Sequence, residues 1–392
     1  MRFLVAHNRY RFSGGEDAAV RAEIELLREH GHIVELLEED NEAIHGLGGR
    51  LAASASVFYS RRSRRRIQEA IGDFRPDLLH VHNWFPRLSP SIVLAASAAE
   101  IPVVQTLHNF RMVCANGLLF RNGAVCTDCL GKSLPLAGIV HGCYRDSRAG
   151  SAIVTAAYGF HRLAHTWDGV DLFIAVSGFA REILIRGGLP AEKIAVKPNF
   201  TRAESFAAEK TRENAVLFVG RLSPEKGIRT LLAAWETGLM PLRLKIVGDG
   251  PLREEVERRA ASGRGIEYLG RQPHEAVFRA MAKARILVFP SACFETFGLT
   301  IVEAFAQGTP VLASDHGTAR ELVEEGATGF RFPPGDAAAL AAAVQRFPGG
   351  EDYERMSARC REVFLSRFTA EANYARMMEI YARAIGLRRQ RR

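Results

Sequence analysis

Short continuous apolar runs alternate along this chain with stretches whose apolar residues recur every three to four positions. "RFLVAHN" (Arg2–Asn8) is a run of the first kind. It is followed by the glycine turn "FSGGED" and then by "AAVRAEIELLREHG", which has helical spacing and Gly31 as its stop. "HIVELLEE" opens the next strand. "DLLHVHN" (Asp77–Asn83), "IPVVQTLHN" (Ile101–Asn109), "DLFIAVS" (Asp171–Ser177) and "KIAVKPN" (Lys193–Asn199) continue the alternation. Runs that are apolar at every position, separated by helices, predict parallel strands buried on both faces. The segment Phe200–Asn214 is polar and reads as a linker. The pattern then restarts in "AVLFVGRLS", "LRLKIVGDG", "IEYLGR", "RILVFPS" and "PVLASD" and ends in two helical stretches. The expected fold class is therefore α/β with two doubly wound, Rossmann-like domains facing a central cleft. Residues 1–200 form the first, 201–368 the second, and a last helix over 369–392 packs back on the first. Ligands in such sheets bind at the loops beyond the carboxyl ends of the strands.

The 392 residues suffice for two such cores, and 47% hydrophobic with 24% charged residues is a globular balance. Ser91–Val104, the most apolar stretch, is too short to span a bilayer and contains Glu100 and Pro102. "MRFLVAHN" lacks the apolar core of a secretory signal, which predicts a cytoplasmic chain. The net charge of +8 is concentrated in "RRSRRR" (Arg61–Arg66) and "RRQRR" (Arg388–Arg392). The first cluster, beside Val57, Phe58 and Tyr59 on one expected helix, predicts contact with phosphate on an anionic membrane surface. The second reads as a frayed, solvated tail. No nucleic-acid-binding motif accompanies the arginines, so no nucleic-acid partner is expected.

The densest chemistry lies in "CFETFGLTIVEAF" (Cys293–Phe305), where Glu295 and Glu303 bracket a glycine turn and the first turns of a helix. A helix N-terminus after a buried strand attracts an anion. Glu295 alone could be a helix cap, but a diphosphate on the N–H groups with hydroxyls on either side accounts for both carboxylates. Gly298 would let the backbone approach that ligand closely. "VGRLSPEKGI" (Val219–Ile228) sets Arg221 and Lys226 in the loop after another strand, a pair of cations suited to a diphosphate.

Glu295-x7-Glu303 and this Arg–Lys loop resemble the donor-binding motifs of retaining GT-B glycosyltransferases, in particular glycosyltransferase family 4 (glycosyl transferases group 1). The resemblance covers nearly the whole chain. It implies transfer of a sugar from a UDP- or GDP-sugar to a hydroxyl of a saccharide or lipid-linked acceptor, in polysaccharide or glycolipid synthesis. It further implies that Glu295 contacts donor-sugar hydroxyls, that Glu303 binds the ribose, and that Phe297, Gly298 and Leu299 hold sugar and phosphate by their backbone. Arg221 and Lys226 would stabilise the departing diphosphate, and "GRQPHEAV" (Gly270–Val277) would meet the nucleobase. Gly14 and Gly15 correspond to the family's glycine pair after the first strand. His108 corresponds to its strand-end histidine facing the donor sugar, and His82 is a candidate on the acceptor side. No D-x-D sequence occurs, so no catalytic metal is expected. A sugar-nucleotide epimerase or a phosphorylase on the same architecture, or a non-enzymatic nucleic-acid-binding protein, are the alternatives.

One stretch departs from the family pattern. Cys114, Cys126, Cys129 and Cys143 fall within a glycine-rich insert, residues 111–150, directly after His108. Four of the chain's six cysteines, with one C-x2-C pair, predict a structural zinc site.

Overall fold

The computed structural model describes residues 1–10, 14–202, 212–236 and 240–391. The greater part of the expected linker, residues 203–211, lies outside them. The chain divides into two compact units, Met1–Leu118 with Thr127–Asn199 and Asn373–Arg392, and Leu119–Cys126 with Phe200–Ala372.

The first unit is built on a parallel sheet of β1 (Arg2–Arg9), β2 (Ile33–Asp40), β3 (Leu78–Asn83), β4 (Val103–Leu107), β7 (Leu172–Ala175) and β8 (Ile194–Val196). Its order is β2–β1–β3–β4–β7–β8. Burial follows position. Every residue of central β3 is buried, whereas edge strand β2 exposes several of its positions. That is why β3 is apolar wherever it is not histidine or asparagine, while β2 carries glutamates. The short hairpin β5 (Phe120–Arg121) and β6 (Ala124–Val125) belongs to the second unit.

The second unit holds β9 (Glu213–Val219), β10 (Arg243–Val247), β11 (Ile266–Gly270), β12 (Ala284–Phe289), β13 (Val311–Ser314) and β14 (Gly329–Phe332), ordered β11–β10–β9–β12–β13–β14 and all parallel. Val216, Phe218, Ile228, Leu231, Ile246 and Trp235 share its core. Each such aliphatic or aromatic side chain contributes roughly 1.5–3 kcal/mol on burial. The Trp235 indole also donates to the Leu242 carbonyl at 3.0 Å, so its one polar atom is satisfied inside.

Strand order reverses between β1 and β3 in the first sheet and between β9 and β12 in the second. The ends of those strands and the segments that follow them carry His82, Gly14–Gly15, Arg221–Lys226 and Glu295. The topology thus brings the sequence-flagged residues of each unit to its own switch point, where open sheets bind ligands.

Two local expectations are corrected. The single helix through the arginine run is two helices, Gly46–Ser56 and Arg61–Phe74. The second starts where the Ser60 hydroxyl accepts from the Ser63 N–H at 3.1 Å, an N-cap that ends any continuation from before. The C-terminal tail is not frayed. The helix Ala370–Gln390 runs through Arg388, which is 6% exposed and whose guanidinium donates to Asp171 at 2.7 and 3.1 Å.

Candidate active site

In the second unit, Pro224–Lys226 forms a single 3-10 turn closed by Gly227. Gly227 has φ +71°, and a Cβ there would lie 1.8 Å from the Pro290 carbonyl oxygen, so this position accepts only glycine. The same closeness joins the two loops. The N–H groups of Ala292 and Cys293 donate to the Glu225 carbonyl at 2.9 and 3.3 Å. The loops after β9 and β12 therefore behave as one piece, and Lys226 Nζ reaches Glu295 Oε1 at 2.6 Å. The Ser291 hydroxyl donates to the same oxygen at 2.6 Å. Burial opposes the charge of Lys226, but the Glu295 carboxylate outweighs it and holds the ammonium above its ordinary pKa. Arg221 is exposed and engages no carboxylate among the described residues.

Glu303 lies one turn into the helix Leu299–Ala306 and is 7% exposed. Burial raises its pKa, and His274 Nε2 stands 3.5 Å from its Oε1. His274 lies in "GRQPHEAV" but was not singled out by the sequence. Nor were Thr318 and His316, which fix the loop by bonds to the carbonyls of Glu295 (2.8 Å) and Ser291 (2.7 Å). Phe297 is buried. Gly298 has an ordinary φ of −147°, and a Cβ there would press on Ile301 at 2.9 Å. Packing within the unit is thus a sufficient reason for that glycine, whether or not a ligand approaches its backbone.

In the first unit, Gly14 caps the helix Gly15–Glu29. Its N–H donates to Asp17 Oδ2 at 3.1 Å, while Asp17 Oδ1 meets His7 Nε2 at 2.8 Å. A Cβ on Gly14 would meet nothing within 4 Å among the described residues. His108 stands at the end of a buried chain of groups. Its Nε2 lies 3.0 Å from His82 Nδ1, and the two rings stack at 5.3 Å. Glu23 Oε2 lies 3.8 Å from His82 Nε2, and Glu23 Oε1 accepts from Lys197 Nζ at 2.5 Å. His80 bridges Thr106 Oγ1 at 2.8 Å and the Tyr381 hydroxyl at 2.7 Å. The carboxylate favours the proton on His82 Nε2, which leaves Nδ1 to accept from His108. Burial pushes the His108 imidazole down to about 3 and lowers His80 and His82 as well. All three are neutral at neutral pH.

That cluster predicts acid lability. The unfolded chain takes up these protons near pH 6.5 and the folded chain far lower, so stability is complete above 6.5 and falls with pH, by about 1.4 kcal/mol per unit for each imidazole. Glu16 and Glu303, both raised by burial, act in the opposite sense. His274, raised beside Glu303, opposes as well, but His32, His161 and His316 are also lowered by burial, so the lowered imidazoles outnumber the opposing groups. Urea unfolding is expected to give about 2 kcal/mol less stability at pH 5 than at pH 7.5. Equal or greater stability at pH 5 would contradict the neutral assignment.

Glu16 is a residue the sequence contained, in "GGED", without drawing notice. Burial pushes its carboxyl up to about 7. Oε2 accepts from the Asn109 side chain at 3.4 Å, and Oε1 has no partner among the described residues.

The expected zinc set is not assembled. The Cys114 thiol donates to Asn116 Oδ1 at 3.0 Å, and the Cys129 thiol lies 3.8 Å from the Pro135 carbonyl. Cys126 closes the β5–β6 hairpin and belongs to the other unit from Cys114, Cys129 and Cys143. Among the described residues, the grouping with metal-ligand spacing is instead Glu23, His80 and His82. There the Lys197 ammonium already occupies the role of the cation.

Part of the arginine run is engaged within the unit. Glu39, 8% exposed, draws Arg62 (3.5 Å), Arg66 and Arg87 (3.0 Å), while Arg65 pairs with Glu69 and Arg64 donates to the Tyr59 hydroxyl. A buried carboxylate explains these cations without a membrane. No helix among the described residues is long and apolar enough to cross one.

The profile of glycosyl transferases group 1 matches residues 213–347, and that of the glycosyl transferase 4-like domain matches 14–199. The phosphatidyl-myo-inositol mannosyltransferase of Mycobacterium leprae is 37% identical over 312 residues, covering 76% of this chain and 70% of that protein. The chain belongs to the group 1 glycosyl transferases. Among other group 1 relatives, the glycogen synthase of Mycobacterium tuberculosis is 29% identical over 284 residues, 69% of this chain and 60% of that protein. The chain thus spans less than two thirds of that relative. Sucrose-phosphate synthase from Thermosynechococcus elongatus superposes with TM-score 0.71 at 20% identity, covering 98% of this chain and 99% of that one. Alr3699/HepE of Anabaena, solved with UDP-glucose, superposes with TM-score 0.67 at 19% identity over 97% and 100%. The group 1 fold of two parallel six-stranded sheets is therefore GT-B.

Proposed function

We propose that this chain is a retaining glycosyltransferase that moves a sugar from a UDP- or GDP-sugar to a hydroxyl of a saccharide or lipid-linked acceptor, in polysaccharide or glycolipid synthesis. The Lys226–Glu295 pair at the second sheet's switch point, with exposed Arg221 in the same loop, carries this reading. An arriving diphosphate takes over the Lys226 ammonium and frees the Glu295 carboxylate to accept from sugar hydroxyls. Arg221 and Lys226 supply the positive charge that a departing diphosphate needs, which leaves no step to a catalytic metal. Glu303, beside His274, accepts from the ribose hydroxyls, and the backbone of Phe297, Gly298 and Leu299 receives sugar and phosphate. Gly14, whose lack of a side chain serves no packing among the described residues, and Gly15 leave room for the ligand. Relatives named for sugar transfer support the assignment.

Lys226→Ala and Arg221→Ala are expected to weaken donor use about ten- to a hundredfold, the worth of one charge-assisted contact of roughly 1.5–3 kcal/mol each. Glu303→Ala should lose affinity for the free nucleoside diphosphate, whereas Glu295→Ala should impair the sugar donor and spare the free nucleotide. Steady-state kinetics and nucleotide titration read these effects. Wild-type behaviour in both cation variants sinks the assignment.

Stereochemistry tests the mechanism. Neutral His108 can orient the donor sugar by hydrogen bonding but cannot lend it a positive charge. Asp17 and Glu23 are engaged by His7 and Lys197, so neither is a ready base. The leaving phosphate then takes the acceptor proton, and attack comes on the same face of the sugar. An α-linked donor should yield an α-linked product in proton NMR. Glu16, with its raised pKa and unpartnered oxygen, favours the competing reading of a general base, for which the product would be β-linked.

A further inference from the structure

The cysteine-bearing insert roofs a cavity of about 260 Å³ within the first unit, lined among others by Arg111, Cys114, Cys129, Thr155, Tyr158 and Trp167. Three of these side chains are incompletely satisfied. Thr155 is 2% exposed and its Oγ1 has no partner among the described residues. The Tyr158 hydroxyl and Arg111 Nε and Nη1 are buried and equally unpartnered. Native interiors rarely leave such groups unpaired, and several around one space point to a ligand that brings acceptor atoms. The charge agrees. Arg111, Lys132, Arg162 and Lys193 line the cavity, and Asp168, its single lining carboxylate, is 3.2 Å from His165. Arg111 lies with its guanidinium 4.5 Å above the Phe85 ring, an apolar setting that strengthens its attraction for an anion. Arg111, Met112 and Tyr158 also line a second, smaller recess that contains His82 and His108. An anion held by Arg111 would therefore sit beside the His108 end of the sheet.

We propose that this cavity binds an oxyanion of the acceptor, a carboxylate or a phosphate, held by Arg111, Tyr158 and Thr155 and attracted by Lys132 and Arg162. The word acceptor rests on the function proposed above; the oxyanion site does not.

Isothermal titration with sodium glucuronate, inorganic phosphate and neutral glucose tests it on the full chain. At least one of the two anions should bind, about tenfold or more weakly in Arg111→Ala and measurably more weakly in Tyr158→Phe, with glucose not binding. The binding that Arg111→Ala and Tyr158→Phe weaken should persist in Lys226→Ala, and any phosphate bound at the diphosphate loop should be lost only there, which separates the two sites. Glucuronate without phosphate would identify an acidic saccharide, and phosphate without glucuronate a phosphate-headed carrier. Should Arg111→Ala misfold by circular dichroism, Tyr158→Phe with Thr155→Val carries the test. Binding of neither anion, or binding that depends on Lys226 and not on Arg111 and Tyr158, overturns the proposal. A chain that binds the oxyanion yet transfers no sugar would refute the enzymatic reading and leave this site standing.

Discussion

Lys197→Met is expected to destabilise the protein by about 3–5 kcal/mol, because it strands the Glu23 carboxylate without its cation. Lys197 is completely buried, and Glu23 is 2% exposed. Burial shields the carboxylate from solvent, and the surviving neighbours, His80 and His82, are neutral. Asn373 Oδ1, 3.4 Å from the ammonium, would lose its donor as well. The double variant Lys197→Met/Glu23→Gln should recover most of the loss, since the cost lies in the unpaired charge more than in the missing pair. Urea unfolding midpoints decide the matter. A single variant as stable as the wild type, or a double variant no better than the single, would show that the pair is not what it seems in the fold.

Removing the Arg388 guanidinium, in Arg388→Ala, should cost about the same, 3–5 kcal/mol. Asp171 is wholly buried at the start of β7, and its Oδ2 accepts from Arg388 twice and from the Val103 N–H at 2.8 Å. Arg388 also donates to the Gly169 carbonyl at 2.9 Å and the Ser97 hydroxyl at 3.1 Å. One side chain thus ties the C-terminal helix to β4, β7 and the helix Ser91–Ala98. Its exposed neighbour Arg389 has no such role, and Arg389→Ala should stay within about 0.5 kcal/mol of wild type. Thermal unfolding of the two variants side by side makes the comparison. Equal midpoints would mean that the tail is the frayed end its composition suggests.

The arginine clusters show why composition misled. "RRSRRR" and "RRQRR" look alike as charge runs, but the first faces a buried carboxylate that its composition does not announce, and the second is not the frayed end read from it. The first compensates Glu39, a carboxylate more than twenty residues earlier at the end of β2. The second contains Arg388, which compensates Asp171. A charge run seen alone carries no mark of the buried acid that it answers. The cysteines failed for a related reason. Their spacing describes how far apart they lie along the chain, but the turn at Cys114 and the hairpin ending at Cys126 send them to different partners. Glu16 was legible as a letter but not as a site, because its raised pKa comes from burial, which no local pattern announces.

The sequence by itself determined the two parallel sheets, the helices between their strands, the strand-end positions of Arg221, Lys226, Glu295 and His108, and the place of Glu303 in the helix that follows. These follow from period, run length and turn chemistry, which act over a few residues and are written locally. Only the tertiary structure decided which charge meets which. Lys226 and Glu295 are 69 residues apart, Lys197 and Glu23 are 174, and Arg388 and Asp171 are 217. Such pairs form because the order of strands in each sheet brings distant loops and helices together, and burial then makes an unpaired partner costly.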